Sequence, residues 1–311
     1  MKTMELRPPH VRPARSFSQC CCFVGVALLL LAALLRWVVA PLFERLPADY
    51  VAARSYAGKA RTHETPTSPE VKFESVIRRN DQTMTNSEGH AIIQGDLHWL
   101  TPAGVVIFET MNLYGVDRRS RENLPTYGNL ARTGQYLFPP HTAKKRYGLW
   151  DPNYAGLGTA TFERVDRFRG LEVYVFHFVV DGLDETAGFT SLPEVPAKYG
   201  ALTYGQGRFW VEPVSGTVVD HEDSGASHFV NAKTAERVGE PIIQWSQRFT
   251  PETSDAEFQR ASAMRWKMLA LGVWLPLGFA VAGLVCITAG FRPRRGDKST
   301  ELRPSGRESP R

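Results

Sequence analysis

The densest cluster of side chains that could bind a cation or exchange protons is Asp220-His221-Glu222-Asp223. Carboxylate oxygens and an imidazole nitrogen are common ligands of divalent cations. Successive residues of a β-strand point to opposite faces, so only two of these four side chains could converge on one ion. We therefore interpret the cluster as the exposed end of a hairpin, and the sequence predicts neither a metal site nor a cofactor.

A basic run, Lys144-Lys145-Arg146, lies beside Tyr147 and Trp150 in a proline-interrupted stretch between residues 115 and 158. Long irregular connections of this kind are where binding residues tend to concentrate. The run could bind a phosphate headgroup or an anionic glycan. A solvated loop is the plainer interpretation, and we favour it.

The segment Leu171–Val180 is apolar on both faces of a predicted strand, which is typical of a strand covered on both sides. It would lie at the centre of a sandwich, lie beneath a helix, or line an apolar cavity, and we favour plain core. His177 in it is then a hydrogen-bonded core histidine. The candidate ligand-binding residues come from this strand, the basic stretch and a later hairpin: Lys144, Lys145, Arg146, Tyr147, Trp150, Tyr174, Phe176, Phe178 and Trp210.

Motifs of catalysis are missing from the sequence. It contains no Gly-x-Ser-x-Gly nucleophile elbow, no His-Glu-x-x-His zinc motif, no phosphate-binding loop and no EF-hand pattern. We therefore predict that the protein is not an enzyme and assign no catalytic residue.

The elements that must position these residues are strands. Short runs rich in β-branched and aromatic residues alternate with Gly, Pro, Asn and Asp, and two pairs have the short connections of antiparallel hairpins. No strand–helix–strand alternation appears, which disfavours a parallel sheet. The sequence predicts a mainly β, curved or sandwich-like antiparallel domain over residues 44–250. Its strands are Val71–Arg78, His90–Leu100, Val105–Tyr114, Ala160–Arg167, Leu171–Val180, Gly207–Pro213, Thr217–His221 and Pro241–Phe249.

Two long apolar segments, residues 20–43 and 268–291, flank this domain. About 20 helical residues cross a hydrocarbon core, so both qualify as transmembrane helices. The tails, residues 1–19 and 292–311, carry 11 basic and 4 acidic residues, whereas residues 44–265 carry 24 basic and 28 acidic ones. Basic flanks stay in the cytoplasm, so we expect two cytoplasmic termini, an extracytoplasmic domain in the cell envelope and a disordered C-terminal tail. The acidic domain argues against a nucleic-acid partner.

The first apolar segment could instead be a signal peptide cut after Ala40. Pro41 would then follow the cut, which disfavours cleavage, and we favour an uncleaved anchor. Cys20, Cys21 and Cys22 open the segment, either as acylation sites or, as we favour, as small apolar residues. Ser254 and Glu257 have the spacing of a capping box and predict a helical stalk, residues 251–267, that leads into the second span.

Three stretches of the chain resemble one family. They run from Phe138-Pro139-Pro140 through the basic run to Trp150-Asp151-Pro152, over Gly170–Phe176, and over Trp210–Gly216. The chain is similar there to an actinobacterial envelope family of unknown function that is also called porin PorA. The resemblance implies one span at each end of a β-rich outer domain. The porin name implies a water-filled, cation-favouring channel, and the family implies no catalytic residues.

The sequence thus favours a non-enzymatic envelope protein whose outer domain binds an apolar or amphipathic ligand, such as a lipid, or an envelope partner. A channel subunit built by oligomerisation is the alternative, and an envelope enzyme is the third interpretation. A homo-oligomer is compatible with each of these three interpretations. A lipid carrier predicts a large apolar cavity, and an enzyme predicts acids or a histidine converging near His177 or Asp220-His221.

Overall fold

The computed structural model describes residues 17–154, 156–187 and 195–291. Eleven strands form one antiparallel sheet in the order β5-β4-β3-β2-β1-β11-β10-β9-β8-β7-β6. The strands are β1 Val51–Thr62, β2 Val71–Asn86, β3 His90–Leu100, β4 Val106–Asp117, β5 Asn123–Gly128, β6 Arg146–Leu149, β7 Gly158–Phe168, β8 Leu171–Asp184, β9 Tyr199–Glu212, β10 Thr217–Asn231 and β11 Arg237–Phe249.

The predicted antiparallel β class is confirmed, and all eight predicted strands are present. Three strands were missed. β1 is rich in Ala, Gly, Arg and Lys, which have low strand propensity, and β5 and β6 are short edge strands. The long sheet uses hairpins throughout and pairs its first strand with its last, β1 with β11.

The sheet curls until its two edges nearly meet. Gln135 bridges Glu122 beside β5 and Leu149 in β6, the strands at opposite ends of the strand order. Its backbone N–H donates to Gly148 O at 2.8 Å, and its carbonyl accepts from Trp150 N at 3.0 Å. A single curved, nearly closed sheet therefore replaces the sandwich that the sequence left open.

A segment we call the plug, residues 134–154, packs on the inner face of this curved sheet. The plug includes the short edge strand β6. Phe138, Tyr147, Leu149 and Tyr154 of the plug join the main core cluster, together with inward-facing residues of β8 and β9. The core thus lies between the sheet and the chain's own plug. Gly205 in β9 allows this approach, because a Cβ there would overlap the Tyr154 hydroxyl.

We expect Gly205→Ala to destabilise the protein by about 2 kcal/mol, since overpacking a filled site typically costs 1–3 kcal/mol. The measurement is thermal unfolding of the full-length protein in detergent. Gly89→Ala is the control, because a Cβ at Gly89 meets no atom within 4 Å. Equal melting temperatures for the two variants would show that the plug does not pack as described.

The outer face of the same strands is covered by a helix, which is why Leu171–Val180 is apolar on both sides. Val173 and Val175 of β8 and Trp210 of β9 form a buried cluster with Ala261 of α3 (Pro251–Leu269). Of the three environments considered for this strand, a position beneath a helix is the correct one. His177 lies half-buried on this outer face, so its assignment to the core was wrong.

The start of α3 differs from the capping box that the sequence suggested. The N-cap is Thr250, whose side-chain oxygen accepts a hydrogen bond from Thr253 N. The hydroxyl of Ser254 donates to Asp220 at 3.4 Å instead. Glu257 reaches inward to form an ion pair with Arg54 at 3.2 Å. Both residues are therefore used for tertiary contacts rather than for capping.

Two helices are long and apolar enough to cross a membrane, Gln19–Glu44 and Pro251–Gly290. The first comprises α1 (Phe17–Leu34), a π-helical turn and α2 (Ala40–Glu44); the second runs from α3 through another π-helical turn into α4 (Leu275–Gly290). The helices pack closely where Gly25 faces Gly283, since a Cβ on either would overlap the other's backbone carbonyl. The β domain is thus joined to one span by an uninterrupted helix.

The exit of the first span is also fixed to the domain. Leu46 and Arg118 exchange two hydrogen bonds, from Leu46 N to Arg118 O and from Arg118 Nε to Leu46 O at 2.9 Å. Arg121 donates to the Glu44 carbonyl at 3.1 Å, and His141 Nε2 lies 2.9 Å from the Glu44 carboxylate. One candidate span therefore continues into the domain's helix, and the exit of the other is hydrogen-bonded to the domain.

Candidate functional site

The nine candidate ligand residues do not form one site. Tyr147, Phe176 and Phe178 are core residues on the inner face, and Tyr174 packs against them. Trp210 is buried on the opposite face of the sheet beneath α3. Their role in binding stays a prediction.

The basic run itself is exposed, as the solvated-loop interpretation requires. Lys144 lies 5.0 Å from the ring of Tyr174, Lys145 lies 5.1 Å from the ring of Tyr147, and Arg146 donates to Thr159. The two lysines thus lie over aromatic rings of the same core. Trp150 is the member of the nine that lines a cavity.

That cavity, which we call the chamber, lies between the plug and the inner face of the sheet. Its volume is about 50 Å³, and it is partly open to solvent. Apolar side chains and charged or hydroxyl-bearing side chains both line it. The apolar lining is Leu137, Phe138, Leu149, Trp150, Pro152, Phe209, Val218 and Phe249, and the polar lining is Arg54, Tyr56, Arg79, Asp81, Tyr136, Asp151 and His221.

One member of the Asp220-His221-Glu222-Asp223 cluster, His221, lines the chamber. The interpretation of Asp220-His221-Glu222-Asp223 as an exposed hairpin end was wrong, because Asp220, His221 and Asp223 are buried within the long strand β10. Alternation holds as expected: His221 and Asp223 face inward. Asp220 faces α3 on the outside, where it pairs with Arg248.

His221 is held in one orientation by its neighbours. Its ring stacks on Phe209 with 4.0 Å between centroids, and Nδ1 lies 3.2 Å from the Tyr56 hydroxyl. Its other nitrogen, Nε2, is buried and has no hydrogen-bond partner among the described residues. Burial, and then the charge of Arg54, lowers the pKa of His221 to about 3, so the ring is neutral near pH 7.

The plug supplies the acid that faces this histidine. Asp151 Oδ2 lies 3.7 Å from His221 Nε2, too far for a direct hydrogen bond. Asp151 Oδ1 accepts from Asn153 N at 2.8 Å. Burial, and then the nearby Asp223, raises the pKa of Asp151 to about 7. At pH 7 the imidazole is therefore neutral, and about half of the Asp151 carboxyls keep their proton.

Both carboxylate oxygens of Asp223 accept hydrogen bonds from neighbouring side chains. It accepts hydrogen bonds from the Tyr154 hydroxyl at 2.6 Å, from Trp245 Nε1 at 2.7 Å and from Gln247 Nε2 at 3.1 Å. Burial nevertheless raises its pKa, while the hydrogen bonds act in the opposite direction. Asp223 thus fixes the plug through Tyr154 and offers little to a ligand.

The charged residues at the back of the chamber offset one another. Asp81 accepts from Arg79 Nε at 2.8 Å and from Arg54 Nη1 at 3.2 Å. Arg54 also pairs with Glu257 of α3. Two arginines therefore face two carboxylates, and their net charge is zero. A sequence could not reveal this set, because its members lie on β1, β2 and α3 and no shared motif connects them.

Asp151 predicts a pH dependence of stability. The unfolded carboxyl titrates near 3.9, and the folded one keeps its proton up to about 7. The folded state thus binds more protons across that window, so this group's contribution to stability falls as pH rises through it. His221, with its lowered pKa, acts in the opposite direction between about 3 and 6.5.

We therefore expect Asp151→Asn to gain stability relative to the natural protein as pH rises from about 4 to 7, by at most about 1.4 kcal/mol per pH unit. The measurement is the difference in free energy of unfolding between the two proteins at each pH. A constant offset would mean that Asp151 titrates normally. Asp181→Asn, an exposed aspartate of β8, is the matched control.

A wider groove of about 410 Å³ crosses β1, β2 and β11, and it is open to solvent. Its lining includes Lys59, Arg61, Lys72, Glu74, Gln244 and Ser246, which share the outer face of the sheet. Arg61 and Lys72 are paired with Glu70. This surface has the character of a solvated sheet face. Among the described residues, no group of three or more acidic, histidine or cysteine side chains could hold a metal ion.

Comparison with known proteins gives one family match. The family described as Porin PorA matches residues 17–292. No curated protein matches the chain.

Solved structures give distant likenesses. A Bacteroides fragilis protein described as exported, with a YmcC-like fold, is 10% identical with a TM-score of 0.24, over 66% of this chain and 96% of that one. A Parabacteroides distasonis protein described as a lipoprotein is 9% identical with a TM-score of 0.20, over 66% and 95%. Scores this low establish no shared fold.

Proposed function

The chain belongs to the Porin PorA family, and we propose that it is a membrane-anchored envelope protein whose β domain binds an amphipathic ligand in the chamber. Both tails lie in the cytoplasm in this proposal, and the domain lies outside. The protein binds rather than catalyses. The observation that carries the proposal is the chamber's mixed lining, in which apolar side chains and hydrogen-bonding side chains face the same partly open cavity.

The size of the chamber decides which part of the ligand enters. A water molecule needs roughly 10–15 Å³ of such space, so about 50 Å³ admits a few heavy atoms and not an acyl chain. We therefore propose that a small polar end group enters, while the apolar remainder lies along the mouth beside Leu137 and Val218. This replaces the large internal lipid cavity that the sequence interpretation required.

Native mass spectrometry of the full-length protein, released from nanodiscs, tests this proposal. We expect a bound molecule on the natural protein and none on Leu137→Trp, which adds bulk at a half-buried side chain of the chamber lining. Leu157→Trp, at an exposed leucine outside the chamber, should retain it. An empty natural protein, or equal occupancy of both variants, would sink the proposal.

A channel is the second candidate, favoured by the family's description as a porin. The apolar segments 20–43 and 268–291 offer little to line a pore, because their charged or hydroxyl-bearing side chains are Arg36 and Thr288. The Thr288 hydroxyl donates to the Val285 carbonyl at 3.0 Å. A pore would need several copies of the chain. Conductance steps from purified protein in planar bilayers, together with a stable oligomer in detergent, would establish this candidate instead.

A further inference from the structure

The chamber has unused hydrogen-bonding capacity at one point, between the plug and β10. His221 Nε2 is without a partner, although the residue is only 1% exposed and its ring is fixed by Phe209 and Tyr56. Buried polar nitrogens are nearly always satisfied in folded proteins, so an orphaned one indicates a water or a ligand atom. Asp151 Oδ2 faces the same point from the plug.

The separation of these two atoms fits one bridging oxygen. Nε2 and Oδ2 are 3.7 Å apart, so an oxygen can lie about 2.8 Å from both and hydrogen-bond to each. A hydroxyl group is both donor and acceptor, and it can therefore satisfy a neutral imidazole and a carboxyl group together. A carboxylate or a phosphodiester can only accept at this point, and an ammonium can only donate.

The surrounding charges also select against an ionic ligand. Arg54 and Arg79 are already paired with Asp81 and Glu257, so an incoming anion would find no free cation. It would instead meet the carboxyl group of Asp151. A cation would lie near the two arginines. Burying a charge without a partner is costly, whereas a neutral group that satisfies both hydrogen bonds is not.

We infer that the chamber binds the hydroxyl group of a neutral amphipathic ligand, which bridges His221 Nε2 and Asp151 Oδ2. This inference rests on the proposed function and adds the chemical class of the ligand. The raised pKa of Asp151 and the lowered pKa of His221 agree with it, because at pH 7 the imidazole is neutral and about half of the Asp151 carboxyls keep their proton. Phe209 and Tyr56 act as positioning residues for the imidazole.

Three fluorinated probes of equal length test the inference by ¹⁹F NMR on the full-length protein in nanodiscs. They are 4,4,4-trifluorobutan-1-ol, 4,4,4-trifluorobutyrate and 4,4,4-trifluorobutylamine. We expect saturable line broadening for the alcohol, with binding weakened about tenfold by His221→Phe, in line with loss of one buried hydrogen bond. His177→Phe, on the outer face, should leave the Kd unchanged.

The outcomes separate this inference from the proposed function. Tighter binding of the carboxylate or the amine, or an alcohol Kd that His221→Phe does not change, would overturn the hydroxyl assignment. If native mass spectrometry meanwhile shows a ligand that Leu137→Trp displaces, the proposed function stands. No binding of the alcohol would also overturn the inference. Asp151→Asn keeps a hydrogen-bonding side chain, so it should weaken alcohol binding less than His221→Phe does.

Discussion

Replacing Glu212 with glutamine is expected to lower the free energy of unfolding by about 3 kcal/mol, because a fully buried carboxylate loses charge-assisted hydrogen bonds and its ion-pair partner. Glu212 accepts from Val214 N at 3.0 Å, from Ser215 N at 2.7 Å and from the Ser215 hydroxyl at 2.7 Å. It also pairs with Arg265 of α3 at 2.8 Å. One side chain thus organises the β9–β10 turn and binds it to the stalk helix.

The measurement is thermal unfolding of the full-length protein, where a loss of this size lowers Tm by roughly 6–12 °C for a domain of this length. Glu172→Gln, an exposed glutamate of β8, should change Tm little. Arg265→Met completes a double-mutant cycle. Additive effects of the Glu212 and Arg265 changes would mean that the two residues are not coupled, contrary to the contact described.

Asp81→Asn is expected to be about as damaging, at roughly 3 kcal/mol, since breaking a buried ion pair leaves an uncompensated charge. Asp81 is 1% exposed and serves both Arg54 and Arg79, which have few other partners. Asparagine keeps the shape but removes the negative charge between two buried cations. The expected result is a lower urea midpoint with an unchanged m-value.

A second variant keeps this prediction testable if Asp81→Asn fails to fold. Arg79→Met combined with Asp81→Leu replaces one whole pair with apolar side chains, and such replacements are often neutral. Arg54 retains Glu257 in that protein. The double variant should therefore be more stable than Asp81→Asn. A less stable double variant would show that the charges themselves, and not their balance, hold the chamber's back wall together.

Local patterns predicted the elements of this fold but not how the sheet closes. Alternation located the strands around Phe176 and Val211 and correctly described both faces of β8, and hydropathy located both candidate spans. The curl depends on Gln135, which joins two strands at opposite ends of the sheet through backbone hydrogen bonds. Backbone bonds leave no residue signature, so single-sequence reasoning had no signal for it.

The chamber escaped prediction for a related reason. His221 was considered only with its chain neighbours, and alternation rightly separated it from Asp220 and Glu222. Its true neighbours, Asp151 and Tyr56, come from the plug and from a strand that the sequence pattern did not indicate. The one available signal was Trp150-Asp151, where an acid follows a large aromatic residue in an otherwise polar loop.

The uninterrupted helix from α3 into α4 has a consequence for encounters within the membrane. The exit of the other candidate span also hydrogen-bonds to the domain through Arg118 and Arg121. In the proposed membrane-anchored state, the domain would therefore keep one height and one tilt relative to its spans. Two such proteins in one bilayer would meet at the same height and with little freedom of tilt, so that rotation about the membrane normal is the orientation left to search. This restriction lowers the entropic cost of association.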